Sequence, residues 1–296
     1  MPTDVLAFLN QPSSEAAAHS EGAPAFELVD AHSLHLSVLD LGATRGDGIF
    51  ESISIGHGKP QALEHHLRRF VSSAAKLDLP EPDLGAWRAA VDAVIVALEP
   101  GAEAWLKLVL TRGVEGDGRP TGWVYGAHSA DFSAARTNGV RVVTLDRGYR
   151  HDVEQTSPWL LAGAKTLSYA VNRAVLREAH RRDADDVIFV SSDGYVLEGP
   201  TSTVLYRRGN SLLSPGTGLG ILDGTTQASV FRFAEERGMD TGFELLTPTE
   251  LAASDSIWLV SSVRLLAPVR ELDGVKRDFD VEFSADANAW LALLDE

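Results

Sequence analysis

The chain is expected to be a mixed α/β protein of two domains, and three observations carry that expectation. β-rich runs alternate with segments whose apolar residues recur at helical spacing. A small, polar stretch, "GAHSADFSAARTNG" at Gly126–Gly139, interrupts the pattern near the middle. The 296 residues exceed an ordinary single domain, and 44% of them belong to the apolar set, enough to fill two cores.

The expected division is a flexible N-terminal tail over 1–24, rich in Ser, Ala and Glu, then a small α/β domain over 25–127. A linker over 128–138 leads to a larger α/β domain over 139–296 that carries Lys165. Within the first domain, Ala25–Asp40 reads as strand-like, and glycines punctuate Gly42–Gly58 around Ile49-Phe50 and Ile53–Ile55. Leu63, Leu67, Phe70, Val71, Ala74, Ala75 and Leu77 mark one face of a helix that Pro80 and Pro82 close. A second helix is expected over Leu84–Leu98, followed by strands at Trp105–Thr111 and Gly122–Tyr125.

Strands resume at Val140–Leu145. Lys165–Arg182 then reads as a helix, with Leu167, Val171, Ala174, Val175 and Ala179 on one face and cations at its C-terminal end. Val187–Ser191 and Tyr195–Leu197 form a hairpin about Ser192-Asp193-Gly194, ending at Glu198. A further hairpin, Thr203–Tyr206 with Ser211–Ser214, precedes a helix from Thr226 to Arg237.

Composition excludes several functions. Against 26 basic residues stand 42 acidic ones, a net charge of −16, so the field of the protein opposes nucleic acid and anionic membrane surfaces. No cysteine is present, which removes disulfides, thiolate nucleophiles and cysteine-metal sites. The best apolar run, Ala89–Leu98, is too short to span a bilayer and carries Asp92. The N-terminus has Asp4 where a signal peptide would be basic, so a cytoplasmic location is expected.

Covalent chemistry must then come from other side chains or a cofactor. Gly224-Thr225-Thr226 opens a helix, where free amides and hydroxyls suit a phosphate; an ordinary N-cap threonine is the plainer reading. Lys165 follows Gly163-Ala164 among apolar residues, and at a helix N-terminus both desolvation and the dipole would favour its neutral, nucleophilic amine. Glu198, at an apolar-to-glycine transition, calls for a cationic partner such as a protonated ring nitrogen, although a solvent-facing turn residue is the default. Arg69 is placed on the polar side of its helix beside His65 and His66. Adjacent histidines point about 100° apart, so no metal is assigned.

Taken in order, "RGDGIFES", "HLRRF…SAAKL", "LTRG", "AKTLSYAVNRAVLREA", "VSSDGYVLEGPTST", "GILDGTTQASV" and "VSSVRLLAPV" resemble the fold-type IV (class IV) pyridoxal-phosphate enzymes. That group holds branched-chain and D-amino acid aminotransferases and 4-amino-4-deoxychorismate lyase, and the likeness runs from about Val38 to Leu272. The resemblance implies two α/β domains with pyridoxal 5'-phosphate in the cleft between them. By the same resemblance Lys165 is the Schiff-base lysine, Glu198 holds the pyridine nitrogen and Arg69 binds the phosphate. Gly224, Thr225, Thr226 and Ser262 add phosphate contacts, and Leu222 packs on the ring.

It further implies a homodimer and a small, anionic, amino-acid-like substrate. Departures from the family pattern are Thr203 for Asn, Gln227 for Arg, and Phe50 where D-amino acid aminotransferases place a carboxylate-binding tyrosine. Arg112, Arg119 and Arg264 are then the cations available for substrate carboxylates. "SSVRLLAPV" puts aminodeoxychorismate lyase first, yielding 4-aminobenzoate for folate biosynthesis, with a D- or branched-chain amino acid aminotransferase as the alternative.

Overall fold

The computed structural model describes residues 3–15, 22–99 and 103–294. The chain divides into two compact units. One comprises Met1–Ala130, Ala164–Tyr169 and Leu294–Glu296; the other comprises Asp131–Gly163 and Ala170–Leu293.

The first unit is built on β1 (Asp4–Leu9), β2 (Phe26–Val29), β3 (Gly48–Gly56), β4 (Lys59–Pro60), β5 (Ala104–Thr111) and β6 (Thr121–His128). They form one sheet in the order β2-β1-β6-β5-β3-β4, with antiparallel pairing throughout. Its helices are α1 (Leu41–Arg45), α2 (Leu63–Lys76) and α3 (Leu84–Ala97). Period-two alternation puts Ile49, Glu51 and Ile53 of β3 on the face shared with Leu106, Leu108 and Leu110 of β5, all of them fully buried. Phe70 of α2 and Trp87 of α3 pack edge to face at 4.8 Å and fill this core.

The expected tail is therefore corrected. Val5–Leu9 is an apolar run that pairs on both sides as β1, and the buried Trp87 indole donates to the Pro12 carbonyl at 2.9 Å. Residues 16–21 lie outside the described residues.

The second unit holds α4 (Ser133–Asn138), β7 (Val140–Asp146), α5 (Val153–Thr156), α6 (Ala170–Arg181), β8 (Asp186–Val190), β9 (Thr203–Arg208) and β10 (Ser211–Pro215). It continues with α7 (Thr225–Glu235), β11 (Asp240–Glu244), α8 (Pro248–Ala252), β12 (Ser256–Ser261), β13 (Leu265–Leu272), β14 (Val275–Lys276) and α9 (Val281–Ala292). The sheet order is β11-β10-β9-β12-β13-β7-β8, with β14 paired to β13. The β10/β11, β13/β7 and β7/β8 pairs are parallel.

Alternation gives β8 two buried faces. Ile188 joins Val142, Val204, Ile257 and Val269, whereas Val187 and Phe189 join Ala179, Leu197 and Ile221. The segment expected as a linker contains α4, because Ala135 packs on the first of these clusters and the Arg136 guanidinium donates to the Val263 and Arg264 carbonyls.

Candidate active site

Within the first unit the chemistry gathers at the β3 edge. Ala164–Leu167 runs antiparallel to it, with Thr166 bridged to Ile49. The Phe50 amide donates to the Lys165 carbonyl at 3.0 Å, and the Leu167 amide to the Gly48 carbonyl at 2.8 Å. The Lys165 amide donates to the buried Ser73 hydroxyl at 3.2 Å. Lys165 is thus held in extended backbone, not at the helix N-terminus expected from its sequence, since α6 begins only at Ala170. Strand pairing replaces the helix dipole as the positioning device. Its Nζ lies 4.5 Å from the centroid of the Phe50 ring, on which Tyr169 also packs edge to face at 5.4 Å. Lys107 of β5 brings a second ammonium to the same ring, at 5.1 Å.

Arg69 is buried, not on a polar surface. Its Nε donates to Glu51 Oε1 at 2.7 Å and its Nη2 to Glu51 Oε2 at 2.6 Å, a bidentate, charge-assisted pair. His66 Nδ1 stands 2.7 Å from the same carboxylate. Burial lowers the His66 pKa, outweighing the attraction of Glu51, so the ring is neutral near pH 7 and Nδ1–H donates to the carboxylate. Burial alone would raise the pKa of Glu51; the Arg69 charge and hydrogen bonds, joined by those of His66, reverse that and hold it well below the usual carboxylate range. Glu51, His66 and Ser73 were not assigned roles from sequence. The available signal was the position of Glu51 between Ile49 and Ile53 on the buried face of an alternating strand.

In the second unit, Glu198 follows the return of the chain along β8. The Leu197 amide donates to the Phe189 carbonyl and the Phe189 amide to the Glu198 carbonyl, both at 2.8 Å. The Leu222 amide donates to Glu198 Oε2 at 3.1 Å, fixing the carboxylate beside Leu222. Gly224 is the N-cap of α7 and, without a side chain, does not cap the first turn. A Cβ at Gly224 would lie 2.5 Å from Thr203 Oγ1, so only glycine allows this approach. The Thr225 and Thr226 hydroxyls converge on Ser262 Oγ at 3.4 and 3.5 Å. The amides of a helix N-terminus and three grouped hydroxyls fit a phosphate monoester.

The arginines offered for the substrate are redirected. Arg112 donates to both Asp47 oxygens and to the Leu77 and Asp78 carbonyls, which commits it to holding loops together. Arg264 donates to the buried Asp186 at 2.7 Å. Arg119 is exposed in the β5–β6 loop.

Known proteins are similar to this chain in sequence and in fold. The family model for amino-transferase class IV matches residues 48–272. A bifunctional aminodeoxychorismate lyase / D-amino acid transaminase of Mycobacterium tuberculosis is 47% identical over 79% of this chain and 85% of its own. A fold IV-transaminase from Curtobacterium pusillum superposes with a TM-score of 0.95 at 52% identity, covering 98% of each chain. A hypothetical aminotransferase from Mycobacterium tuberculosis, in its PLP-bound form, gives 0.90 at 41% identity over 99% of this chain and all of that one. With the matching model spanning Phe50, Arg69, Lys165, Glu198, Gly224 and Ser262 alike, the chain belongs to the amino-transferase class IV family.

Proposed function

We propose that this chain is a pyridoxal-phosphate-dependent enzyme that removes the Cα proton of an amino-acid substrate and directs the resulting charge along either of two routes. The observation that carries this reading is the Lys165 amine held on the Phe50 ring by the β3 edge. The cofactor supplies an electrophilic carbonyl and a ring that accepts electron density. Lys165 would hold it covalently and would carry the Cα proton of the substrate. Glu198 keeps the ring nitrogen protonated, as the carboxylate held by the Leu222 amide can. Arg69, the first-turn amides of α7, and the Thr225, Thr226 and Ser262 hydroxyls hold the phosphate, while Leu222 packs on the ring.

Two activities follow from that proton transfer. Transamination would pass the amino group of a D-amino acid to a 2-oxo acid acceptor and release the donor as its own 2-oxo acid; a solved transaminase supports the reaction type and a bifunctional relative the D-amino acid. Aminodeoxychorismate lyase activity breaks the enol-ether C–O bond instead, releasing pyruvate and 4-aminobenzoate; the bifunctional relative supports it as well. The enzyme acts as a homodimer, a reading favoured by the exposure of Leu34, Val38 and Leu39 on the first unit. Among the described residues no helix is long and apolar enough to cross a membrane.

The test supplies aminodeoxychorismate in one reaction and D-alanine with 2-oxoglutarate in another. Formation of 4-aminobenzoate in the first, or of glutamate in the second, supports the corresponding route. Absence of both from a protein loaded with pyridoxal phosphate would refute the reading.

A further inference from the structure

We propose that Lys107, and none of the three arginines, is the cation that takes a carboxylate of the substrate. The inference rests on the function proposed above, but its geometry lies wholly in the first unit. In the β5 register Lys107 stands opposite Ser52 of β3 and Tyr125 of β6, while Val109 stands opposite Phe50 and Trp123. Directly opposed residues share a face, so Phe50, Ser52, Lys107 and Val109 lie on the side of the sheet away from the buried Ile49, Glu51 and Ile53. Lys107 Nζ and Lys165 Nζ both approach the Phe50 ring, at 5.1 and 4.5 Å from its centroid. The two nitrogens are therefore no farther apart than those distances combined, and both border the Phe50 ring.

Lys107 has no other employment in the structure. Its ammonium makes no hydrogen bond or ion pair to any described residue, in a protein carrying a net charge of −16. It is also half-buried, and burial pushes its pKa down with no neighbouring carboxylate to offset the loss of water. A desolvated, unpaired cation is costly to fold, and an incoming carboxylate recovers that cost. Of the rival cations, Arg112 serves Asp47 and two carbonyls, Arg264 has its charge offset by the buried Asp186 through Nη1 although its Nε and Nη2 are buried without a hydrogen-bond partner, and Arg119 is exposed. Phe50 has no hydroxyl to bind a carboxylate, so a cation beside its ring replaces the polar group that the aromatic lacks.

The experiment compares wild-type holoenzyme with Lys107→Met and Lys107→Arg. KM is measured for pyruvate, which has only the α-carboxylate, and for 2-oxoglutarate, which has a distal one as well; saturable binding of unreactive propionate and glutarate is followed by titration calorimetry. Lys107→Met is expected to weaken carboxylate binding and raise KM by about tenfold or more, with the holoenzyme absorbance and kcat at saturation retained, and Lys107→Arg to recover most of the loss. Weakening of both oxo acids and both unreactive acids identifies the α-carboxylate; weakening of 2-oxoglutarate and glutarate alone identifies the distal one. Unchanged KM and binding, a fall in kcat at constant KM, or failure of wild-type holoenzyme to bind either unreactive acid would overturn the assignment. A wild type that binds these acids through Lys107 but turns over no substrate would refute the proposed function and leave the assignment standing.

Discussion

Removal of the Glu51 charge gives the sharpest test of the buried cluster. In Glu51→Gln one carboxylate oxygen becomes an amide NH2, which faces either the Arg69 guanidinium or the His66 Nδ1–H, both donors. Neither amide orientation satisfies all three hydrogen bonds, and the Arg69 charge is left buried without its counter-ion. Breaking such a pair from one side costs about 3–5 kcal/mol, in contrast to replacing both partners, which can be neutral. With two units the unfolding need not be two-state, so the local readout is hydrogen exchange in peptides from α2 and β3, with β12 and β13 as internal controls. Exchange in α2 and β3 should accelerate by a factor on the order of 100 or more, and that in the controls much less. The carboxylate has a depressed folded pKa, so its stabilisation is complete above the ordinary value of 4.5 and is lost as pH falls below it. The difference between wild type and variant should accordingly persist through neutral pH and close in acid. Unchanged protection of α2 at pH 7, or a difference that widens in acid, would refute the account of Glu51 as the ionised anchor of Arg69.

Three further outcomes bear on the cofactor residues. Lys165→Ala should abolish the borohydride-fixed, absorbing adduct that wild type forms with pyridoxal phosphate; a retained adduct would assign the covalent link elsewhere. Glu198→Gln should lower turnover by orders of magnitude while cofactor binding measured by equilibrium dialysis largely survives; unchanged turnover would remove Glu198 from the ring nitrogen. Gly224→Ala should displace the first turn of α7 through the 2.5 Å clash with Thr203 Oγ1 and weaken pyridoxal-phosphate affinity by roughly tenfold, with Thr203→Ala in the same chain restoring part of it. Affinity unaffected by the single substitution would separate that turn from the phosphate.

Helices α2 and α3 and strands β5 and β6 of the first unit are legible because their signals are local, whereas β1, expected as tail, is a strand only through its partners. The apolar spacing from Leu63 predicts α2, which runs Leu63–Lys76, and Asp83 caps α3 through the Gly85 and Ala86 amides. Arg69 was placed on the wrong side for a reason that is also physical: a charged side chain is exposed by default, and its burial depends on a carboxylate from a different element. Lys165 was recognised as chemically special yet placed on a helix, because Leu167, Val171 and Val175 continue the spacing of α6 backward. What ends that helix early is the pairing of Thr166 with Ile49, more than a hundred residues away in sequence, and no local pattern encodes it. Gly224 is legible as a helix start from its neighbours alone, because an N-cap is a local event.

The affiliation of Ala164–Tyr169 with the first unit has a consequence for how the chain can be divided. The polypeptide leaves the first unit after Ala130, returns for six residues that include Lys165, and departs again at Ala170. No contiguous fragment contains the β-sheet of the first unit and its edge segment without also containing part of the second. Fragment 1–130 would leave the β3 edge at Gly48–Phe50 without its pairing segment and Lys165 on the other piece. Exchange of the first unit between relatives would require grafting the six residues Ala164–Tyr169 at a second locus as well.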